Sequence, residues 1–385
     1  MSADDDAAFE PPCNILYYIP HQRVDSGGPN VLLRIIRNLD RSRFQPLFLA
    51  RSEGPLVDLL VDQKVEIIRS PVGSIGYRHP FRSISRLRHM RNLLRLNGIA
   101  LVHTFDFGWN EDVVLAAGLC GIPVILHEHW GGEAHFQNLN RFAADKVLFC
   151  SQAQRDSFGH LDRVRKKSDI LYNSVDLGRF ACHRSSLRAE LGFADTHLVI
   201  GTVAFVTREK GIDILLEAAA LLAARWENLR VLVVGPFNAQ QEDYCRAVKQ
   251  RAVTSPLQGK VVFLGSRRDI PELLSCMDIF AFPSLWESFG LAPLEAMASR
   301  LPVVASRVGG IPELLVDVPE SGCLVTPISA PAFAEAIEPF LSDSGLRRTT
   351  GDRARQSIIG RLDEPTISAQ LERIYLETLA ARSGG

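Results

Sequence analysis

Twice along this chain, short runs of β-branched and aromatic residues alternate with segments whose apolar residues recur at helical spacing, and few folds accept that alternation. In the first half, residues 14–19, 45–50, 65–68, 101–104, 124–126 and 146–150 read as strands. Between the first two, Val31, Leu32, Ile35, Ile36 and Leu39 share one helical face. In the second half, 197–204, 230–234, 260–264, 278–282 and 302–305 read as strands, with helices at 212–224, 242–251, 271–276 and 291–299. Strands separated by helices pair in parallel, since a parallel partner is reached only by a crossover of about a dozen residues or more. The expected class is therefore α/β, with two Rossmann-like, doubly wound domains whose ligands bind at strand carboxyl ends facing a cleft.

Length supports two cores, because 385 residues exceed what one core usually serves. The acidic, polar start at 1–12 is expected to be disordered. A first domain is expected at 13–178, a second at 179–362, and a terminal helix within 363–385 crossing back to the first domain. The first boundary follows the strand-like 170–172, in the octet NSVDLGRF. A net charge of −1 argues against nucleic-acid binding by bulk electrostatics. No apolar run approaches the ~18–20 residues of a membrane span. The start lacks the basic-then-apolar pattern of a secretory signal, and the seven cysteines (13, 120, 150, 182, 245, 276, 323) are scattered, with no CxxC pair. Free thiols in a reducing cytoplasm are the expectation.

One stretch carries most of the chemistry: PSLWESFGLAPLEAMASRLPVVASRVGGIPELL, residues 283–315. It sets Glu287 in a loop after an apolar strand, and Glu295 about one turn inside the helix that follows. Pro293 falls in that helix's first turn, where its missing N–H costs nothing. Ser288, Phe289, Gly290 and Leu291 then lie where a strand's carboxyl end meets a helix's amino end. Backbone N–H groups and the positive end of the helix dipole suit a phosphate there. An ionised carboxylate in the first turns accepts two hydroxyl protons, as a ribose offers them. Either acid alone would pass for a cap or a dipole partner.

This string resembles the donor-site signature of the family four retaining glycosyltransferases, which have the GT-B fold. The resemblance implies that Glu295 binds the ribose of a nucleotide diphosphate sugar, that Glu287 contacts the transferred sugar, and that the amides of Phe289, Gly290 and Leu291 hold the diphosphate. It covers most of the chain and is most specific at residues 283–315.

Three further motifs take on meaning beside it. Gly27 and Gly28, after the first strand, read as a tight βα turn with Pro29 opening the helix. In the family a glycine-rich loop here faces the donor phosphates and the acceptor, which selects Gly28. Next, His127-Glu128-His129 follows the strand 124–126. A metal is disfavoured because a third ligand is missing, whereas a histidine at a strand's carboxyl end suits hydrogen bonding or proton transfer. The family's single histidine, six positions after a proline such as Pro123, corresponds to His129, with His127 as runner-up. Last, Lys210 sits beside a helix start in Thr207-Arg208-Glu209-Lys210-Gly211, where a cation is no capping preference and suggests an anion, although in isolation it would read as a solvated surface lysine. The family pairs this lysine with an arginine five or six positions earlier to clamp the diphosphate. Here Ala204 and Phe205 stand in that place, and Arg208 is the cation that would substitute. Arg300 likewise occupies a helix-to-strand turn where glycine is usual.

Residues 79–98 carry Arg82, Arg86, Arg88, Arg91 and Arg95 among Ile84, Leu87, Met90 and Leu94. Peripheral contact with an anionic membrane is one reading. The favoured one is an outer helix whose apolar stripe is spent on the sheet.

The expected function is transfer of a hexose from a nucleotide diphosphate sugar to a glycan, lipid-linked or small-molecule acceptor, with Glu287, His129 and Lys210 in the chemistry. No tightly bound cofactor, metal or nucleic acid is implied, and no side chain stands out as a covalent nucleophile. The location expected is cytoplasmic, with peripheral contact at the inner face of the membrane as the alternative that residues 79–98 leave open. Two other classes stay open: a non-catalytic or weakly active sugar-nucleotide binder, which the missing arginine suggests, and another GT-B chemistry such as epimerisation.

Overall fold

The computed structural model describes residues 12–20, 22, 24, 27–73, 75, 80–105, 111–129, 143–158, 162–181, 186–315 and 321–383. The chain divides into two compact units, one of residues 1–174 and 364–385, the other of residues 175–363.

The first unit is built on a parallel sheet of β1 (Cys13–Tyr18), β2 (Phe44–Ala50), β3 (Glu66–Arg69), β4 (Ile99–Phe105), β5 (Val124–Glu128), β6 (Lys146–Phe149) and β7 (Ser168–Ile170). Their order is β3-β2-β1-β4-β5-β6-β7. The sheet winds outward in both directions from the β1/β4 pair, its topological switch point. Leu16, Leu47, Leu49, Val102, Leu126 and Val147 pack against Met90, Leu93 and Leu94 from one helix and Val113, Val114 and Ala117 from another.

The second unit repeats the plan with β8 (Leu198–Val203), β9 (Leu229–Val234), β10 (Val261–Phe263), β11 (Ile279–Phe282), β12 (Val303–Ser306) and β13 (Gly322–Val325). All pairings are parallel, in the order β10-β9-β8-β11-β12-β13, so its switch point lies between β8 and β11. Ile200, Val231, Val233, Ile279, Ala281 and Val304 bury against Leu215, Leu216, Ala219, Phe333 and Ile337. Each such Val, Leu, Ile or Phe side chain contributes about 1.5–3 kcal/mol by leaving water.

The last helix, Glu364–Ser383, belongs to the first unit. The Glu364 carboxylate takes hydrogen bonds from Arg37 and from Asn38 Nδ2 (2.7 Å). Glu372 accepts from the Asp40 amide at 2.8 Å, and Arg382 pairs with Asp145 at 2.9 Å. Tyr375 is fully buried, its hydroxyl 3.0 Å from that of Tyr17 and 2.6 Å from His103 Nδ1.

Several expectations change. β13 was not anticipated, nor were the helices Ile311–Leu315, Ala330–Ser342 and Ser344–Ile358. The strand expected at 170–172 lies at Ser168–Ile170. Gly27 and Gly28 are not a turn before the helix: the helix runs Gly27–Asn38, which places Pro29 in its first turn. The basic segment forms the helix Pro80–Leu96, with Met90, Leu93 and Leu94 buried, yet Phe81, Ile84 and Leu96 are exposed. Its apolar residues are thus only partly spent on the sheet. Arg300 adopts a left-handed φ of 60°, which explains why glycine suits that turn. Residues 1–11 of the acidic start, His79 and Cys182 lie outside the described residues.

Candidate functional site

Two loops, one after β8 and one after β11, with three helix–strand repeats between them, meet at the second switch point. After β8 the chain makes a single 3-10 turn, Arg208–Lys210, and enters the helix Ile212–Ala223 through Gly211 at φ 63°. After β11 it runs through Pro283–Ser288 to the helix Leu291–Ala298, entered through Gly290 at φ 104°. A side chain at Gly211 would put its Cβ 2.2 Å from the Pro283 carbonyl oxygen, so only glycine allows the two loops this approach. The Glu209 carbonyl accepts from the Leu285 amide at 2.8 Å and closes the contact.

The approach delivers Lys210 to Glu287. Lys210 Nζ lies 2.5 Å from Glu287 Oε2, and 5.6 Å from the ring centroid of Phe282, the last residue of β11. Both side chains keep a window to solvent, 26% for Lys210 and 14% for Glu287. Glu287 is fixed from behind by the turn that follows β12. The Gly310 amide donates 3.2 Å to the Glu287 carbonyl, and a Cβ on Gly309 (φ 49°) would fall 1.7 Å from the same oxygen. The sequence displays that glycine pair but not its role, since its partner lies more than twenty positions away.

The helix Leu291–Ala298 opens its hydrogen-bond ladder with the Leu294 amide on the Gly290 carbonyl, 3.2 Å. The amides of Leu291 and Ala292 precede that ladder, and Pro293 has no N–H, so the helix end offers donors without an internal acceptor. Phe289 is buried, and a side chain at Gly290 would strike Ile311 Cδ1 at 2.4 Å. Glu295 is half-buried in the next turn.

Ala204 and Phe205 are half-buried beyond β8 and supply no cation. Arg208 is exposed, its guanidinium carbon 5.3 Å from the ring centroid of Tyr244 on the helix Glu242–Ala252. Its amide donates to Gln241 Oε1 at 2.8 Å. A phosphate contact would require the guanidinium to leave that ring.

The remaining candidates lie in the first unit. His129, just past β5, is half-buried, with its ring centroid 4.3 Å from that of His127 and 5.6 Å from that of Phe105. His127 stacks in turn on His103 at 5.5 Å. Burial is the first cause holding His127 far below the ordinary histidine range, with His129 and His103 adding repulsion. His103 is pushed down to about 3 by burial and then by His129. His127, the runner-up, is a neutral core residue, and among the described residues neither ring nitrogen has a hydrogen-bond partner. Among the described residues no group of three or more His, Cys, Asp or Glu side chains is arranged to hold a metal ion. Gly28 is buried in the first turn of its helix.

Comparison with known proteins matches both units. Residues 26–179 match the family model described as Glycosyltransferase Family 4, and residues 183–357 the one described as Glycosyl transferases group 1. A D-inositol 3-phosphate glycosyltransferase of Corynebacterium aurimucosum is 32% identical over 404 residues, covering 92% of this chain and 92% of the relative. The putative glycosyltransferase EpsF of Bacillus subtilis is 28% identical over 301 residues, covering 73% of this chain and 76% of its own. Among solved structures, HepE of Anabaena, in complex with UDP and glucose, superposes with a TM-score of 0.78 at 25% identity, over 94% of this chain and 98% of that one. A glycosyltransferase of Rickettsia africae superposes with a TM-score of 0.82 at 20% identity, over 95% and 98%. These neighbours share the GT-B fold.

Proposed function

The chain is a glycosyltransferase of family 4, group 1, and on that premise we propose that it is a retaining hexosyltransferase using a nucleoside diphosphate sugar. The observation that carries this reading is the Lys210–Glu287 contact at the second switch point, beside a helix end whose first amides face no internal acceptor. Leu291, Gly290 and Phe289 receive the diphosphate through backbone N–H groups. Lys210 stands where charge grows on the leaving group. Glu287 receives hydroxyls of the sugar and Glu295 those of the ribose. Uridine diphosphate is the first nucleotide to test, since HepE is described with UDP and glucose.

In the reaction the bond from the anomeric carbon to the diphosphate oxygen breaks. The acceptor oxygen bonds that carbon on the same face, and its proton passes to the departing diphosphate. His129 contacts the transferred sugar, Gly28 allows close backbone approach, and Arg208 is the reserve cation in place of the arginine absent at 204–205. The acceptor is a glycan, a lipid-linked glycan or a small polyol. Screening UDP-, GDP- and ADP-sugars by thermal shift, followed by nucleotide release with Lys210→Ala, tests the donor reading. It fails if no nucleotide sugar stabilises the protein.

The helix Pro80–Leu96 favours an acceptor held at a membrane in the cytoplasm. Phe81 is 88% exposed and Leu96 86%, and the exposed Arg82, Arg88 and Arg95 accompany them with no acid on the helix. Apolar side chains with arginines suit an anionic lipid surface. No helix among the described residues is long and apolar enough to cross a bilayer. Absence of co-sedimentation with anionic vesicles at low salt would remove this part of the reading.

A further inference from the structure

The turn that carries Lys210 is gripped from two sides. On one side the Glu209 carbonyl accepts from the Leu285 amide at 2.8 Å, in the loop after β11. On the other stands Gln241, the last residue of the 3-10 turn Ala239–Gln241 in the loop after β9. Its Oε1 accepts from the Arg208 amide at 2.8 Å, and its Nε2 donates to the two carboxylate oxygens of Glu209 at 3.1 and 3.0 Å. One primary amide thus spends its acceptor on the first residue of the Lys210 turn and its donor on the second. That hydrogen bond is the first cause holding the Glu209 carboxyl below the ordinary glutamate range, with its own amide next; Thr207 and Arg208 add to it and burial opposes it.

Gln241 is itself anchored. Its amide donates to the Asn238 carbonyl at 3.0 Å, and Asn238 Oδ1 accepts from the Gln240 amide at 2.9 Å. The loop is also fastened to the one after β8, where the Val206 amide donates to the Pro236 carbonyl at 2.9 Å. Tyr244, just beyond Gln241, donates its hydroxyl to Asp213 Oδ1 at 2.7 Å, in the first turn of the helix that Lys210 leads into. Lys210 depends on such anchoring. Its ammonium rides on a flexible four-carbon stem, and the single 3-10 turn beneath it closes with only the Lys210 and Gly211 amides, each 3.1 Å from its acceptor.

We infer that Gln241 is a positioning residue for the transfer: by clamping Arg208 and Glu209 it fixes the turn from which Lys210 reaches Glu287. Resting on the glycosyltransferase reading, the clamp keeps the ammonium where charge gathers on the departing diphosphate. A donor held in place before the reaction stabilises that charge without having to reorganise. Gln241 acts through Lys210 and not on the reacting atoms, so its loss should slow turnover and leave donor affinity nearly unchanged.

The test has two arms, both on the full chain. In the first, without ligand, Lys210 is pulse-labelled with acetic anhydride and read by mass spectrometry. Gln241→Ala should speed its acetylation at least about threefold, because the turn opens more often and the ion pair with Glu287 shields Nζ less. Gln241→Glu combined with Glu209→Gln exchanges the amide and the carboxylate, so it should restore labelling to within about twofold of wild type. In the second arm, nucleotide release from UDP-glucose should show kcat about tenfold lower in Gln241→Ala, with KM within about twofold. In a Lys210→Ala background the same substitution should cost nothing further, since the two act through one group. Equal labelling of wild type and Gln241→Ala overturns the inference, and so does a kcat loss that persists in full without Lys210; wild-type turnover of UDP-glucose would then still uphold the donor reading. Labelling that responds in a protein that neither binds nor cleaves UDP-glucose sinks the uridine-donor reading and leaves the clamp standing.

Discussion

The two units place an acid at the same topological position and treat it in opposite ways. In each, a side chain at or just beyond the end of the unit's first strand reaches an acid beyond the end of its fourth. In the second unit the pair is Lys210 and Glu287, a cation and a carboxylate with a window to solvent. In the first it is Tyr18 and Glu111, a phenol and a carboxyl shut away from water, with burial raising the acid. The same winding thus yields one charged pair that keeps a window to solvent and one buried polar pair. Topology sets the location, and the strand-end residue sets the chemistry.

The charged pair should break hardest. Lys210→Ala is expected to lower nucleotide release by about 10²–10³-fold, the range seen when one transition-state donor is removed. A loss below tenfold in steady-state turnover would deny Lys210 its role. Gly309→Ala tests the support behind Glu287. The left-handed φ costs about 1–2 kcal/mol and the carbonyl contact adds to it. Denaturant unfolding should show at least that loss, and a wild-type midpoint would mean the turn adapts freely.

The buried acid predicts a pH effect on stability. Its folded pKa lies above the ordinary 4.5, at about 7, so between those values the folded state keeps a proton that the unfolded chain releases. Stability from this group is full below 4.5 and is lost as pH rises through about 7, at up to about 1.4 kcal/mol per pH unit. Glu111→Gln should flatten that slope in urea melts taken across the window. An unchanged slope would assign the proton elsewhere. The smallest effect is expected at Arg300, whose φ of 60° carries a left-handed penalty while its ion pair with Asp352 is exposed. Arg300→Gly should stabilise by a few tenths to about 1 kcal/mol, and destabilisation would show that the surface pair outweighs the strain.

Much of the fold was legible because buried parallel strands read as short apolar runs bounded by polar turns, as at Leu229–Val234 and Ile279–Phe282. β13 escaped because Gly322-Cys323-Leu324-Val325 is brief and opens on a glycine, a weak strand signal. Glu287 and Lys210 were legible as separate candidates, but not their contact. They lie 77 positions apart, and what joins them is the adjacency of β8 and β11. Glu111 gave no signal, since an acid before a helix looks like an ordinary first-turn charge until its burial is known. Arg208 shows the limit of spacing, which placed a cation near the site but not its stacking on Tyr244.

The return of Glu364–Ser383 to the first unit has a consequence for synthesis. A ribosome finishes the whole of residues 175–363 before it makes Tyr375, the residue that meets the Tyr17 and His103 side chains in the earlier-made sheet. Of the two units, the one begun first is therefore completed last. A nascent chain must carry an exposed seam beside β1 and β4 until that helix is made, and a stop before it leaves that seam as a handle for chaperones and proteases.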